Sequence, residues 1–306
     1  MSTTTRRGLR ATRIGVGAVT VPVVAWALSN VIVKIAHASA LQFAFWRLWM
    51  GAAVMVSACA LARRRLSWST IRASAPSGVL FGFNIVLFFA ALKETSVADV
   101  LIIAALQPGL VLLVAGPLFG ERVARVEVAL LLGSVLGVVV FVLGSSETPA
   151  WSLRGDLFAF AALLVFTCYF LLSKRVRQRV QALEYMTTVT VVAAVVVTPV
   201  ALLSGTRLGG LRAQDWLWLA LFVASAQWGH LLLAWAHRQV DATVSSLLLL
   251  GETPLTAAAA FVFLGEPVTW LMAVGGVTAL GSLAMIVWRA TRAGEDFADA
   301  TEGAPP

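Results

Sequence analysis

Residues 97–119 read VADVLIIAALQPGLVLLVAGPLF, an apolar run with a proline, Pro108, near its centre. Residues 242–264 read ATVSSLLLLGETPLTAAAAFVFL and carry Pro254 near their centre. A helix needs about 20 mostly apolar residues to cross the hydrocarbon core of a bilayer. These two runs therefore predict membrane-spanning helices that are interrupted at corresponding points.

The composition of the whole chain agrees with this interpretation. Of 306 residues, 59% are hydrophobic and 12% are charged, and the mean hydropathy is +0.89. A soluble domain carries about 25% charged residues. The composition excludes an ordinary cytosolic enzyme, a disulfide scaffold and a chain that is disordered over most of its length.

Ten apolar runs can be counted between charged or turn-rich segments, which predicts an all-α integral membrane protein with ten transmembrane helices. Their approximate bounds are 14–35, 40–62, 75–93, 97–119, 124–144, 154–173, 183–203, 214–236, 242–264 and 269–288. The first run follows a basic segment and precedes Ala36-His37-Ala38-Ser39-Ala40, which resembles a signal-peptidase site. It is longer than the usual 7–15 apolar residues of a signal peptide, so we interpret it as a span.

The basic residues predict the orientation. Most of the 23 lysines and arginines lie in segments that share one side of the membrane with the N-terminus. This bias places both termini in the cytoplasm of a bacterial cell with the protein in its plasma (inner) membrane. It also accounts for the net charge of +8 without nucleic acid as a partner. The expected partners are the lipid bilayer and a small-molecule substrate; the sequence is compatible with a monomer.

The two halves of the chain echo each other. Lys93, Val97-Ala98 and Gly120-Glu121 recur at an offset of 145 residues as Arg238, Ala242-Thr243 and Gly265-Glu266. Five spans per repeat is an odd number, so the second repeat enters the membrane from the opposite side. Inverted repeats recur in secondary transporters, although channels also contain them.

These echoes predict five segments along the chain. They are a basic cytoplasmic tail (1–13), a first five-helix repeat (14–144), a linker (145–153), a second inverted five-helix repeat (154–288) and a disordered cytoplasmic tail (289–306).

Several of these residues resemble a known family. Trp26-Ala27-Leu28-Ser29-Asn30 with Lys34 is similar to the first-helix signature of the drug/metabolite transporter superfamily, and Arg47, Pro108 and Glu252 continue the pattern. The resemblance covers about residues 14–288 and is strongest to the ten-helix EamA-type exporters, which include amino-acid and aromatic amino-acid exporters. Many relatives place proline directly after the acidic residue of the ninth helix, whereas this chain reads Glu252-Thr253-Pro254. The resemblance implies small-metabolite transport.

Glu252 is the strongest functional candidate, because a carboxylate near the membrane midplane is costly and normally faces a cavity or a partner. It could bind an amino group or change protonation during transport; a structural hydrogen bond to a neighbouring helix is the alternative. His230 is a second candidate for proton coupling, although a packed histidine is the simpler interpretation. We expect Pro108 and Pro254 to break their helices beside the site, because a proline frees the carbonyl four residues earlier.

Uncharged polar and aromatic side chains at similar depth suit a zwitterionic or aromatic ligand. The predicted substrate-binding residues are Trp26, Ser29, Asn30, Asn84, Gln107, Tyr169, Gln227, Trp228 and Glu252. We expect Arg47 to have a structural role, either extending outward or pairing with Glu266. The pairs Gly78/Gly82 and Gly133/Gly137 have the spacing of close helix packing.

The function predicted from these features is export of small metabolites, amino acids foremost, by alternating access. Another metabolite or a drug is the alternative cargo, and a channel or a membrane enzyme is less well supported. No catalytic motif is found, and Cys59, Cys168 and three scattered histidines indicate neither a metal site nor a cofactor.

Overall fold

The computed structural model describes residues 21–111, 114, 125–145, 151–238, 249, 252–282, 284–285 and 288. Helices and connecting turns account for all of these residues, and no strand occurs among them. The helices are α1 Val21–Ile35, α2 Ala40–Leu61, α3 Trp68–Glu94, α4 Val97–Ala104, α5 Arg125–Ser145, α6 Leu153–Arg177, α7 Ala182–Leu203, α8 Ala213–Ala236, α9 Glu252–Leu264 and α10 Trp270–Ser282. The two predicted tails, 1–13 and 289–306, lie outside the described residues.

Five of these helices, α2, α3, α6, α7 and α8, are long and apolar enough to cross a membrane. Shorter apolar helices include Val21–Ile35, Val97–Val111 and Trp270–Ser282. A multi-pass, all-helical membrane protein follows from these lengths and compositions. The count of ten spans stays a prediction.

Hydrogen-bonded caps explain where several helices begin. Ser39 starts α2 with a capping box, in which its side chain accepts from the Gln42 backbone and the Gln42 side chain accepts from the Ser39 backbone. Ser67 caps α3 by accepting from the backbone N–H of Thr70. Such caps satisfy amides that lack a partner within the helix. They start α3 at Trp68, seven residues before the apolar run that predicted it.

The helices of the two halves pack in matching pairs. α2 packs on α7, α4 packs on α9, and α3 packs on α6. α1 lies against α8 through the Trp26 indole, which donates to the Ala226 carbonyl at 3.3 Å. α5 lies against α10 through the Thr269 hydroxyl, which donates to the Gly144 carbonyl at 3.2 Å. When the helices of each half are numbered from one to five, α2–α7, α4–α9 and α5–α10 each join helices of the same number. The pair α3–α6 joins helix three of the first half to helix one of the second, and α1–α8 joins helix one of the first half to helix three of the second. Exchanging the two halves therefore leaves this set of pairs unchanged, as a two-fold axis requires.

Equivalent helices also run antiparallel. Along α5, Gly133 faces Ser282 of α10, whereas Gly144, later in α5, faces Leu271 at the start of α10. Between α2 and α7, the Trp49 indole donates to Thr198 at 3.0 Å and the Thr187 hydroxyl donates to the Met55 carbonyl at 3.2 Å, so the numbering again runs in opposite directions. Antiparallel pairing of equivalent helices is the geometry expected of an inverted repeat.

The predicted glycine contacts are confirmed. A Cβ atom on Gly78 would lie 2.9 Å from the Val189 carbonyl oxygen of α7, and one on Gly137 would lie 2.8 Å from the Gly275 carbonyl oxygen of α10. Only a residue without a side chain permits backbones to approach this closely. The glycine pairs therefore set the spacing between α3 and α7 and between α5 and α10.

One end of the bundle is tied together by a polar cluster that we call the end network, comprising Lys34, Lys93, Thr95, Asp156 and Glu266. The Lys34 ammonium donates to the Thr95 carbonyl, and the Lys93 ammonium donates to the Ala36 carbonyl. The Thr95 hydroxyl donates to Asp156 at 3.0 Å. Both Glu266 carboxylate oxygens accept from the Val97 amide at 3.1 Å. The end network therefore joins residues of both halves.

Candidate functional site

A cavity of about 120 Å³ lies between the two halves of the bundle. Its wall combines residues of α1 to α4 from the first half with residues of α6, α8 and α9 from the second. A single water needs roughly 10–15 Å³ on this scale, so the cavity has room for about ten waters or a small organic molecule. Its position between the repeats is the usual place for a transporter's binding site.

Most of the predicted site residues lie in the wall of this cavity. They are Trp26, Ser29, Asn30, Asn84, Gln107, Pro108, His230 and Glu252. These residues come from α1, α3, α8, α9 and the segment that follows α4, which are far apart in sequence. The structure therefore brings together side chains that the sequence could connect only through their similar depth.

Glu252 and Asn30 form the most specific polar contact in the wall. The Asn30 side-chain amide donates to Glu252 Oε1 at 2.8 Å. Asn30 lies on α1 and is buried, whereas Glu252 is the first residue of α9 and is half-buried. No other donor binds the Glu252 carboxylate among the described residues. The contact holds the Glu252 carboxylate in the cavity wall.

A π-helical turn shapes the wall contributed by α8. Residues Val223–Gln227 form this turn, and a segment of this kind is common at functional sites. The Ala226 carbonyl within it accepts from the Trp26 indole, and the Ser225 hydroxyl lies 2.8 Å from the Ser29 hydroxyl. These contacts hold α1 against α8 on one side of the cavity.

His230 completes that side of the wall. Its ring centroid lies 4.5 Å from Trp26 and 4.9 Å from Phe81, and its Nδ1 atom has no hydrogen-bond partner among the described residues. The surroundings are those of a histidine packed between aromatic rings in the cavity wall.

The opposite side of the wall comes from α3, α4 and α6. The Asn84 side chain donates to the Ala162 carbonyl at 3.0 Å, which joins α3 to α6. Gln107 is buried and its Nε2 atom has no partner among the described residues. The helix α4 ends at Ala104, a turn follows at 105–106, and helical residues resume at 107. A break before Pro108 is the effect expected of a proline in a spanning helix.

Arg47 adopts neither of the two arrangements predicted for it. It neither extends outward nor pairs with Glu266, which caps α4 instead. The guanidinium is 1% exposed, lies 5.1 Å from the Phe81 ring centroid and 5.5 Å from that of Phe222, and contributes to the cavity wall. Its Nη1 and Nη2 atoms have no hydrogen-bond partner among the described residues. A buried arginine costs at least about 2.5–3.5 kcal/mol at the centre of a membrane helix.

Three predicted residues do not line the cavity. Tyr169 is buried behind the wall, where its ring centroid lies 5.2 Å from that of Phe81. The Gln227 amide donates to Thr190 at 3.1 Å between α7 and α8. Trp228 is 46% exposed, with its side chain toward the outside of the bundle. Trp228 lies two residues from both Ala226 and His230, which line the cavity, so a rotation of about 200°, at about 100° per residue, places it on the opposite face of α8.

The remaining predicted features have mixed outcomes. Pro254 occupies the first turn of α9 as the structure describes it, and the carbonyl of residue 250, which it was expected to free, lies outside the described residues. Glu121 also lies outside them. Glu266 accepts from the Val97 amide at the start of α4, and Lys34 belongs to the end network.

Sequence reasoning missed the aromatic part of the wall. Phe88, Phe89, Phe166 and Phe222 line the cavity together with aliphatic side chains. Phenylalanine in an apolar span carries no signal that separates a cavity face from a lipid face. Arg47 did carry such a signal, because an ionisable residue within a span marks a functional site by default.

In the part of the chain that the structure describes, the cavity wall thus combines apolar and aromatic side chains with one carboxylate, one guanidinium and several neutral polar groups. This arrangement suits the binding of a small molecule that has both apolar and charged parts. Among the described residues, no group of three or more histidines, cysteines, aspartates or glutamates is placed to hold a metal ion.

Comparisons with known proteins agree with the fold. The model of the EamA-like transporter family matches residues 13–143 and again residues 153–288. The chain is also similar to a protein whose crystal structure is solved, with 21% sequence identity and a TM-score of 0.65. The match covers 92% of this chain and 99% of that protein's chain. No curated protein sequence matches the chain. The two family matches together span nearly the whole sequence, and the chain belongs to the EamA-like transporter family, whose members move small molecules across membranes.

Proposed function

We propose that the protein is a secondary transporter that exports amino acids, aromatic ones included, across the bacterial plasma (inner) membrane by alternating access. The observation that carries the proposal is the Asn30–Glu252 contact in an otherwise mostly apolar cavity. A fixed carboxylate is the natural partner of a substrate ammonium group, and the aromatic wall suits an apolar side chain.

The pairing of the helices supports a moving carrier. Helices of opposite repeats face each other across the cavity, so rocking one repeat against the other opens the cavity alternately to each side. With both termini in the cytoplasm, the end network lies at the outer face of the membrane. The structure then corresponds to a state in which contacts between the repeats hold the outer end together.

The test is counterflow in proteoliposomes. Vesicles are loaded with unlabelled L-phenylalanine, L-leucine, L-threonine or L-lysine, and entry of the labelled amino acid is followed without an ion gradient. A carrier gives saturable entry that exceeds entry into empty vesicles. Entry that does not saturate and ignores the internal amino acid indicates a channel, and the absence of exchange by folded protein across the panel refutes amino-acid transport.

A matched pair of variants ties the flux to the site. Glu252→Gln removes the negative charge of residue 252 from the cavity. Glu184→Gln removes a partly buried carboxylate that lies 3.8 Å from Arg64 and outside the cavity wall. We expect exchange to fall in the first variant and to persist in the second. Equal exchange in both variants would separate the transport activity from this cavity.

A further inference from the structure

The guanidinium of Arg47 is an unused recognition group in the cavity wall. Arg47 is almost fully buried. Among the residues that the structure describes, its two terminal nitrogens have no hydrogen-bond acceptor and no ion pair includes it. The Phe81 and Phe222 rings attract its positive charge, yet they accept no directed hydrogen bond of the usual strength. Buried donors in native proteins normally have an acceptor, so the missing one calls for an explanation.

The shape of the guanidinium says what kind of acceptor fits. Its planar fork binds a carboxylate through two parallel hydrogen bonds, which a lysine ammonium does not do. Glu252 lies in the same cavity wall but takes its hydrogen bond from Asn30, and no ion pair joins it to Arg47. The cavity therefore presents one positive and one negative group, neither neutralised by the other.

We infer that Arg47 is the anion subsite of the cavity and binds the carboxylate of a zwitterionic substrate whose ammonium group binds Glu252. This rests on the proposed function and deepens it, since Glu252 alone would serve an amine as well as an amino acid. Arg47 adds a requirement for a free carboxylate. The aromatic residues of the cavity wall then contact the apolar side chain of the substrate.

The requirement is measured by ligand binding and by transport in parallel. Binding is followed as the protection of purified protein in detergent against thermal unfolding, with L-phenylalanine, L-phenylalaninamide and phenethylamine as probes. The last two keep the ammonium group and the ring but lack the carboxylate charge. Loss of a hydrogen bond to a charged group predicts binding weaker by about 10- to 100-fold for both.

Variants assign this preference to Arg47. Arg47→Met is expected to weaken L-phenylalanine binding by about 10- to 100-fold while leaving phenethylamine binding nearly unchanged, so that the preference disappears. Arg47→Lys keeps the positive charge but lacks the planar guanidinium, and it should retain part of the preference for a ligand with a carboxylate. Arg177→Met is the matched control, because Arg177 is equally buried but donates to the Ala234 carbonyl at 2.6 Å outside the cavity wall.

The outcomes are distinct. If the wild-type protein binds phenethylamine as tightly as L-phenylalanine, or if Arg47→Lys and Arg47→Met both keep the preference, Arg47 is not the anion subsite. Loss of the preference in Arg177→Met as well would assign it to general packing and also overturn the inference. Carboxylate-dependent binding without counterflow supports the Arg47 subsite and refutes amino-acid transport. Counterflow without carboxylate dependence supports transport and refutes the Arg47 subsite.

Discussion

The contact between Asn30 and Glu252 predicts energetic coupling across the two repeats. At 2.8 Å the amide donates to a carboxylate at the distance typical of a strong, charge-assisted hydrogen bond. If the carboxylate binds the substrate ammonium, Asn30 acts through Glu252 by holding it in place. The two residues should then behave as a unit rather than as independent contributors to binding.

The structure sets the size of each effect. Glu252→Gln keeps the shape and an acceptor for Asn30 but removes the charge, so a hydrogen bond worth about 1.5–3 kcal/mol to the ammonium is weakened. The concentration for half-maximal L-phenylalanine counterflow should rise about 10- to 100-fold. Asn30→Ala removes only the orienting donor, which corresponds to about 0.5–1.5 kcal/mol, or roughly a 3- to 10-fold rise.

A double-mutant cycle provides the assay. Once Glu252 is glutamine, Asn30→Ala should cause little further loss, which gives a coupling energy of about 0.5–1.5 kcal/mol. Asn84→Ala is the matched control, because Asn84 lines the same cavity but donates to Ala162 rather than to Glu252. Its effect should add to that of Glu252→Gln. Additivity of Asn30→Ala and Glu252→Gln, or wild-type exchange in Glu252→Gln and Glu252→Ala, would refute the reasoning.

Three further outcomes follow from the packing. Gly137→Leu should destabilise the α5–α10 contact by about 1–3 kcal/mol and lower the melting temperature in detergent. Gly281→Ala should not, because a Cβ atom at residue 281 meets nothing within 4 Å. Equal melting temperatures of the two variants would contradict the close approach of α5 and α10. Trp228→Leu should leave exchange unchanged while Trp26→Leu lowers it, because only Trp26 lies in the cavity wall; the reverse order in flux assays would count against this cavity. Thr95→Val should cost about 1–3 kcal/mol of stability by removing the donor to Asp156 Oδ1, while the Trp151 indole still donates to Oδ2 at 2.8 Å. Thr278→Val, whose hydroxyl donates to Val274 of its own helix, is the control in the same thermal unfolding assay.

Apolar runs predicted the helix bounds closely where the whole helix is apolar enough to lie in lipid. The run 40–62 corresponds to α2 Ala40–Leu61, and the run 183–203 to α7 Ala182–Leu203. The run 75–93 missed the first turns of α3, since these leave the apolar region and are fixed by the Ser67 cap instead. Hydropathy reports the environment of a segment, whereas hydrogen bonding decides where its helix begins.

The depth of the site residues in the membrane was predictable from the sequence, whereas the direction of their side chains was much less so. Asn30, Gln107 and Glu252 were found because polar groups at mid-span have few alternatives to a cavity. Trp228 was misplaced because depth alone was used: it lies two residues from His230, about 200° around the helix, so the two side chains cannot both face the cavity. Arg47 was misplaced for a related reason: its distance from the start of α2, about 10 Å at 1.5 Å per residue, does not show which way the side chain points.

Arg47 and Glu252 together suggest why such costly residues remain in a nearly apolar bundle. Two opposite charges that paired with each other would close the cavity and leave a ligand only apolar contacts. Asn30 holds the carboxylate, and Phe81 and Phe222 hold the guanidinium, so each charge is kept in place without being neutralised. A zwitterion can neutralise both at once, and an ion pair gains strength when closure of the repeats excludes water. Under the proposed mechanism, the loaded cavity is the one that closes at least cost, and reorientation of the repeats would then depend on the presence of substrate.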